Sequence, residues 1–150
     1  MANREHVPSP PVTVVDLENV MEVSEAHSGA RGPVGHHVVI AGGGRSGADL
    51  ALELADDGHE VTIVEKTDVI AADLRFPQKI SLLRGLMENH VRLMTGHTVT
   101  AVDDEGLTAV GAAGEVHVDA DTVVIALGAE RETVLSAARG AHLDADAIGA

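Results

Sequence analysis

At 150 residues, with 45% apolar content, the chain has room for one packed domain and little for a second. Ten basic residues stand against 24 acidic ones, and a formal charge of −14 repels phosphate backbones and anionic lipid heads, so neither nucleic acid nor a membrane surface is an expected partner. There is no cysteine, which rules out disulfides, thiolate nucleophiles and cysteine-ligated iron–sulfur clusters.

A single aromatic residue, Phe76, leaves the core to Val, Ile, Leu and Ala, a composition suited to a parallel sheet buried on both faces. No apolar run reaches the ~20 residues of a membrane span, and the first residues lack a signal-peptide core. The expected address is the cytoplasm.

Met1–Pro11 carries Pro8, Pro10 and Pro11 and no hydrophobic period, so it reads as an unstructured lead. Val12–Val15 is a short extended run. Asp16 is placed to cap a helix over Leu17–Ala26, with Leu17, Val20, Met21 and Ser24 on one face, and the glycines and proline of Ser28–Gly35 break it. From His36 strand and helix alternate: His37–Ala41 extended, Gly42–Gly44 a turn, Ser46–Asp57 helical with Leu50, Ala51, Leu54 and Ala55 on one stripe, and Gly58 a stop. Glu60–Val64 is the next strand, Phe76–Asn89 the next helix with Ile80, Leu83 and Met87 inward, and Val91–Met94 a third strand.

The period then changes to two. Thr98–Val102, Leu107–Val110 and Glu115–Val118 are separated by hairpin-turn signals and read as a three-stranded meander. Thr122–Leu127 returns to a buried strand, and Glu132–Ala138 is a last amphipathic segment. The expected class is α/β: a Rossmann-like parallel sheet with helices on both faces and a three-stranded antiparallel β-meander crossover.

Gly42-Gly43-Gly44-Arg45-Ser46-Gly47 fits G-x-G-x-x-G, a weak pattern alone in a chain with 16 glycines. Context strengthens it, because an apolar strand precedes it, a helix opens on it, and the following strand ends on Glu65. The spacing from motif to Glu65 brackets the ~20 residues that set a carboxylate beside a bound ribose. Gly42 permits the tight turn, Gly44 lets the backbone approach a pyrophosphate, and Gly47 lets helix and strand pack closely. The helix start supplies free N–H groups and partial positive charge for an anion in an otherwise acidic protein.

The run Val38–Gly47 (VVIAGGGRSG), the following ADLALELADDGHEVTIVE and the later DADTVVIALGA resemble the NAD(P)H domain of FAD-dependent pyridine-nucleotide oxidoreductases. In particular they resemble the C-terminal part of 2,4-dienoyl-CoA reductase and trimethylamine dehydrogenase-like flavoenzymes of the old yellow enzyme group. The candidate cofactor-binding residues are therefore Gly42, Gly43, Gly44, Arg45, Ser46 and Gly47 of the motif, Glu65 accepting from the ribose, and Lys66, whose ammonium can swing toward a 2′-phosphate. The resemblance also puts Asp49 near the nicotinamide end, although an acid interacting with the helix dipole fits that position equally well. The turn Ala126-Leu127-Gly128 is implied to lie close to the cofactor, and Arg131 stands where the family usually has proline. NAD(H) is the expected cofactor with NADP(H) the alternative, and FAD is expected only through a partner, a flavin-binding domain or subunit outside this chain.

The expected organisation is thus 1–35 as a lead with a short strand and helix, 36–140 as the nucleotide-binding domain, and 141–150 as the start of a re-entry segment whose family form ends Ile-Gly-Asp. No catalytic acid, base or nucleophile is expected within the chain. Nine histidines invite a metal reading, but His36, His37, His59, His90, His97 and His117 lie at strand starts, turns and the meander, with no i,i+4 pair and no cysteine partner, which favours surface histidines and no metal site. One rival is a non-catalytic nucleotide-binding or interaction module, either a sensor or a truncated product. A second, an FAD-binding half, is disfavoured because Lys-Thr-Asp-Val-Ile-Ala-Ala-Asp follows Glu65 where flavin-type domains show a Gly-Gly pair.

Overall fold

A computed structural model describes residues 13–14, 18–29 and 32–126. Five short parallel strands form the central sheet: β2 (Val20–Glu22), β3 (His37–Ala41), β4 (Glu60–Glu65), β5 (Arg92–Thr95) and β9 (Thr122–Ile125), in the order β2-β9-β3-β4-β5. Three helices accompany them, α1 (Val23–Ser28), α2 (Arg45–Asp56) and α3 (Gln78–Glu88). The meander is β6 (Thr98–Asp103), β7 (Gly106–Gly111) and β8 (Gly114–Asp119), antiparallel throughout, and β1 (Thr13–Val14) adds to its β6 edge in parallel.

Alternation along the central strands divides the core in two. Val38 and Ile40 of β3, Val61 and Ile63 of β4 and Val124 of β9 face Ala48, Leu50, Ala51, Leu54, Leu82 and Leu86 of the helices. Val39, Ala41, Val64, Val123 and Ile125 face the other way, onto Val99, Val102, Leu107, Ala109 and Val118 of the meander. A sheet covered on both faces needs apolar residues at successive positions, which is why β3 and β9 read as continuous apolar runs. Among the described residues the helices pack on one face, and the other face is taken by the meander. No described helix is long and apolar enough to cross a membrane.

Two expected elements differ. The expected helix Leu17–Ala26 is instead strand β2 followed by the short α1, because Val20 and Met21 are more effectively buried by pairing with Val123 and Val124 of β9. The helix begins only at Glu22, where a reciprocal capping box with Glu25 supplies its first hydrogen bonds. In α3 the inward face carries Leu82 and Leu86, not Ile80 and Met87, which are exposed with Phe76. Gly85 explains the rotation: a Cβ there would press the Leu52 methyls at 3.1 Å, so the glycine side of α3 is the side that meets α2. The segments Met1–Pro11, Leu127–Gly128 and Glu132–Ala138 lie outside the described residues.

His117 links two meander segments: Nδ1 lies 2.9 Å from Asp119 and Nε2 3.2 Å from Asp103. Desolvation opposes its charge, but hydrogen bonds and Coulombic attraction from both carboxylates outweigh it and hold the imidazole pKa above its ordinary value. A group that binds its proton more tightly when folded stabilises fully below its unfolded pKa of ~6.5, and that contribution fades as pH rises through the higher folded value. Thermal melts from pH 6 to pH 9 should therefore show a stability loss that His117→Asn removes, at most about 1 kcal/mol for so exposed a cluster. Parallel pH profiles for both proteins would contradict this.

Candidate functional site

Strand β3 delivers the chain to Gly42, whose φ of +116° only glycine adopts without strain. There the backbone is caught from both sides: Gly42 N–H donates to Val64 O at 2.8 Å, and Ala126 N–H donates to Ala41 O at 2.8 Å. The loop thus sits over the C-terminal ends of β3, β4 and β9, where open α/β sheets bind ligands. Helix α2 follows at once, and Ala48 N–H makes the first helical bond to Gly44 O. The N–H groups of Ser46 and Gly47 precede that bond and are the helix-start donors open to an anion.

The three motif glycines play separate parts. A Cβ on Gly47 would collide with the Gly42 carbonyl oxygen and press on Ile40 and Ala126, so this position sets how closely α2 lies on β3. Gly44 has an ordinary φ, and a Cβ there would meet only the Asp73 carboxylate, at 3.6 Å. Its openness fits a ligand close to the backbone. Gly43, a variable position in the motif, is confined by Ile70, Glu65 and Ile63, with Ile70 Cδ1 at 2.7 Å from such a Cβ.

Glu65, at the end of β4, turns onto this loop. Its Oε1 accepts the Gly43 N–H at 2.8 Å, while Oε2 accepts Thr67 N–H at 3.0 Å and Thr67 Oγ1–H at 2.8 Å. A carboxylate offers about four lone-pair sites, so one acceptor direction remains for a ribose hydroxyl. Lys66 is exposed beside it. Arg45 and Asp49 meet across one turn of α2 at 3.6 Å, so the acid expected near the nicotinamide is an exposed partner of Arg45. Ala126 sits against Gly47 at the end of β9, whereas Leu127 and Gly128 lie outside the described residues.

Sequence reasoning missed the segment that covers the loop. Ala71, at a left-handed φ of 56°, donates its N–H to Gly43 O at 2.6 Å, and Asp73 Oδ1 accepts the Arg45 N–H at 2.9 Å. A carboxylate of the chain itself therefore sits on the first turn of α2. Residues 67–75 show no period and no turn signature, so nothing along the chain marked Asp73.

Residues 7–149 match the family model described as pyridine nucleotide-disulphide oxidoreductase. The chain is 32% identical over 120 residues to a bilirubin reductase from Mediterraneibacter gnavus, a match spanning 80% of this chain and 19% of that protein. It is 35% identical over 92 residues to an NADH oxidase from Thermoanaerobacter brockii, spanning 61% of this chain and 14% of that one. The structure of 2-naphthoyl-CoA reductase in complex with 2-naphthoyl-CoA superposes with a TM-score of 0.71 at 29% identity, over 85% of this chain and 20% of the other. The chain thus spans a fifth or less of these relatives.

The glycine geometry separates two substitutions that a motif treats alike. Gly47→Ala should destabilise the fold by about 1–3 kcal/mol in urea unfolding, because backbone must move to admit the methyl group. Gly44→Ala should fold with nearly unchanged stability yet lose most nucleotide binding. Equal stability losses in the two variants would refute the assignment.

Proposed function

The chain belongs to the pyridine nucleotide-disulphide oxidoreductase family, and on that premise we propose that it is the nicotinamide-dinucleotide-binding unit of a flavin-dependent reductase. The observation that carries this reading is the Gly42–Gly47 loop at the C-terminal sheet edge, tied to Glu65 by the Gly43 hydrogen bond. A bound reduced nucleotide would supply a hydride for a flavin held by other polypeptide. The chain's own residues bind and orient. Ser46 and Gly47 N–H groups hold the pyrophosphate, Gly44 allows it close, and Glu65 accepts from the ribose.

The likeness to 2-naphthoyl-CoA reductase supports a finer proposal, that the parent enzyme belongs with the 2,4-dienoyl-CoA reductase-like flavoenzymes and reduces a conjugated acyl-CoA. NADH is the preferred nucleotide in this proposal. Glu65 would face a 2′-phosphate with like charge, and two unit charges ~4 Å apart at an effective dielectric of ~20 interact by about 4 kcal/mol before screening. A quarter of that gives about a fivefold preference.

Fluorescence titration of the full chain with NADH should saturate, and with NADPH saturate at higher concentration. Glu65→Ser should narrow the gap. Tighter NADPH binding by the unsubstituted chain removes Glu65 from this role, and absence of saturable binding to either nucleotide overturns the proposed function.

Asp73 adds a second expectation. Its carboxylate competes with the pyrophosphate for the start of α2, so Asp73→Asn, which keeps an acceptor for the Arg45 N–H and drops the charge, should tighten NADH binding. A charge at a helix N-terminus is worth about 1 kcal/mol, which corresponds to about fivefold. Weaker binding in Asp73→Asn would mean that the carboxylate supports the nucleotide and does not compete with it.

A further inference from the structure

We propose that His36, His37 and Glu60 form a binding site for a divalent transition-metal ion, zinc above all, at the sheet edge opposite the glycine loop. The backbone brings the three together. His37 and Glu60 are register partners on adjacent parallel strands, and Glu60 N–H donates to His36 O at 2.8 Å. Residues paired in this way present side chains on the same side, and the bend before β3 lets His36 join them. Spacing along the chain conceals the group, since it assembles only through the β3–β4 register.

The distances suit an ion. His37 Nε2 lies 3.1 Å from Glu60 Oε1, and His36 Nε2 lies 3.7 Å from Glu60 Oε2. Metal bonds of about 2.0–2.2 Å at tetrahedral angles place neighbouring ligand atoms roughly 3.3–3.5 Å apart, between these two values. All three candidate ligand atoms lie within 4.8 Å of one another, so small rotations about the side-chain bonds close the set. The two imidazole rings stand nearly perpendicular, at 89°, which keeps them from stacking face to face. Each side chain is more than half exposed, so the ion enters from solvent and water completes the fourth position.

Asp121 lies beside His37. Its Oδ2 accepts the backbone N–H of His37 at 2.9 Å and stands 3.6 Å from the ring Nδ1, an ion-pair distance. A carboxylate on that side favours the tautomer with the proton on Nδ1, leaving the Nε2 lone pair toward Glu60. His59, on the neighbouring turn, is engaged with Gly35 O at 2.7 Å and stands outside the set. Two imidazoles and one carboxylate select zinc, nickel or copper over magnesium or calcium, and a tetrahedral set with no redox demand favours zinc. The surrounding acidity of the protein attracts any cation.

Zinc titrated into the untagged full-length chain against a chromophoric chelator should show one tight equivalent. Glu60→Gln and His37→Ala should each weaken it at least tenfold, and His117→Asn should leave it unchanged. Ring-nitrogen NMR of the unsubstituted chain reads the site independently of any variant: zinc should shift Nε2 of His36 and His37 and leave His97 and His117 in place. Zinc binding by Glu60→Gln equal to that of the unsubstituted chain overturns the proposal. Shifts confined to His117, or displacement of zinc by millimolar magnesium, overturn it as well.

Discussion

The closeness of α2 to β3 depends on Gly47, where any side chain would strike the Gly42 carbonyl oxygen. Much else follows from that approach. It seats Ala48, Ala51 and Leu54 on Val38 and Ile40, and it lifts the first turn of α2 directly above the strand end. The same strand turns Val39 and Ala41 toward the meander, so one contact fixes the height of one core layer over a strand shared with the other. A parallel sheet of such short strands tolerates little slack, because each strand contributes at most three residues to each face.

The chain manages its own electrostatics at the loop before any ligand arrives. Backbone donors that would be costly to leave unsatisfied are taken by Glu65 and Asp73, and the Gly43 carbonyl is taken by Ala71. The loop is therefore held in shape by acceptors of the same sign as a phosphate. On the proposed function, a pyrophosphate arriving at the start of α2 would meet one of these acceptors, Asp73, already in place, and binding would exchange one anion for another there. In a protein with a formal charge of −14, such local substitution would let the proposed anion site persist in a repelling field.

Much of the fold was legible in the residues because the hydrophobic period changes where the architecture changes: 3.6 through Leu50, Ala51 and Leu54, two through the meander. Gly42–Gly47 and Glu65 were legible because their chemistry is bound to a fixed spacing. Segments with two apolar faces or none were harder. In α3, Ile80, Leu83 and Met87 recur at helical spacing as convincingly as Leu82 and Leu86, and only Gly85, costly in a helix interior unless a neighbour packs closely on it, could have broken the tie. Val20 and Met21 suited a helix face as well as a short strand, and the decision lay with β9, a hundred residues on. Asp73, His36, His37 and Glu60 acquire meaning only through tertiary placement, so no local pattern announces them.

Strand β8 closes one end of the meander sheet and leaves its outer backbone unpaired by any other described strand. Along it Val116 and Val118 turn inward while Glu115, His117 and Asp119 alternate outward. A second copy laid in register against this edge would set like charges opposite one another at strand spacing, about 4.8 Å, at successive outward positions. The valines that make β8 a good strand are thus accompanied by residues that make it a poor template, and the meander can offer a free edge to solvent without seeding fibrils.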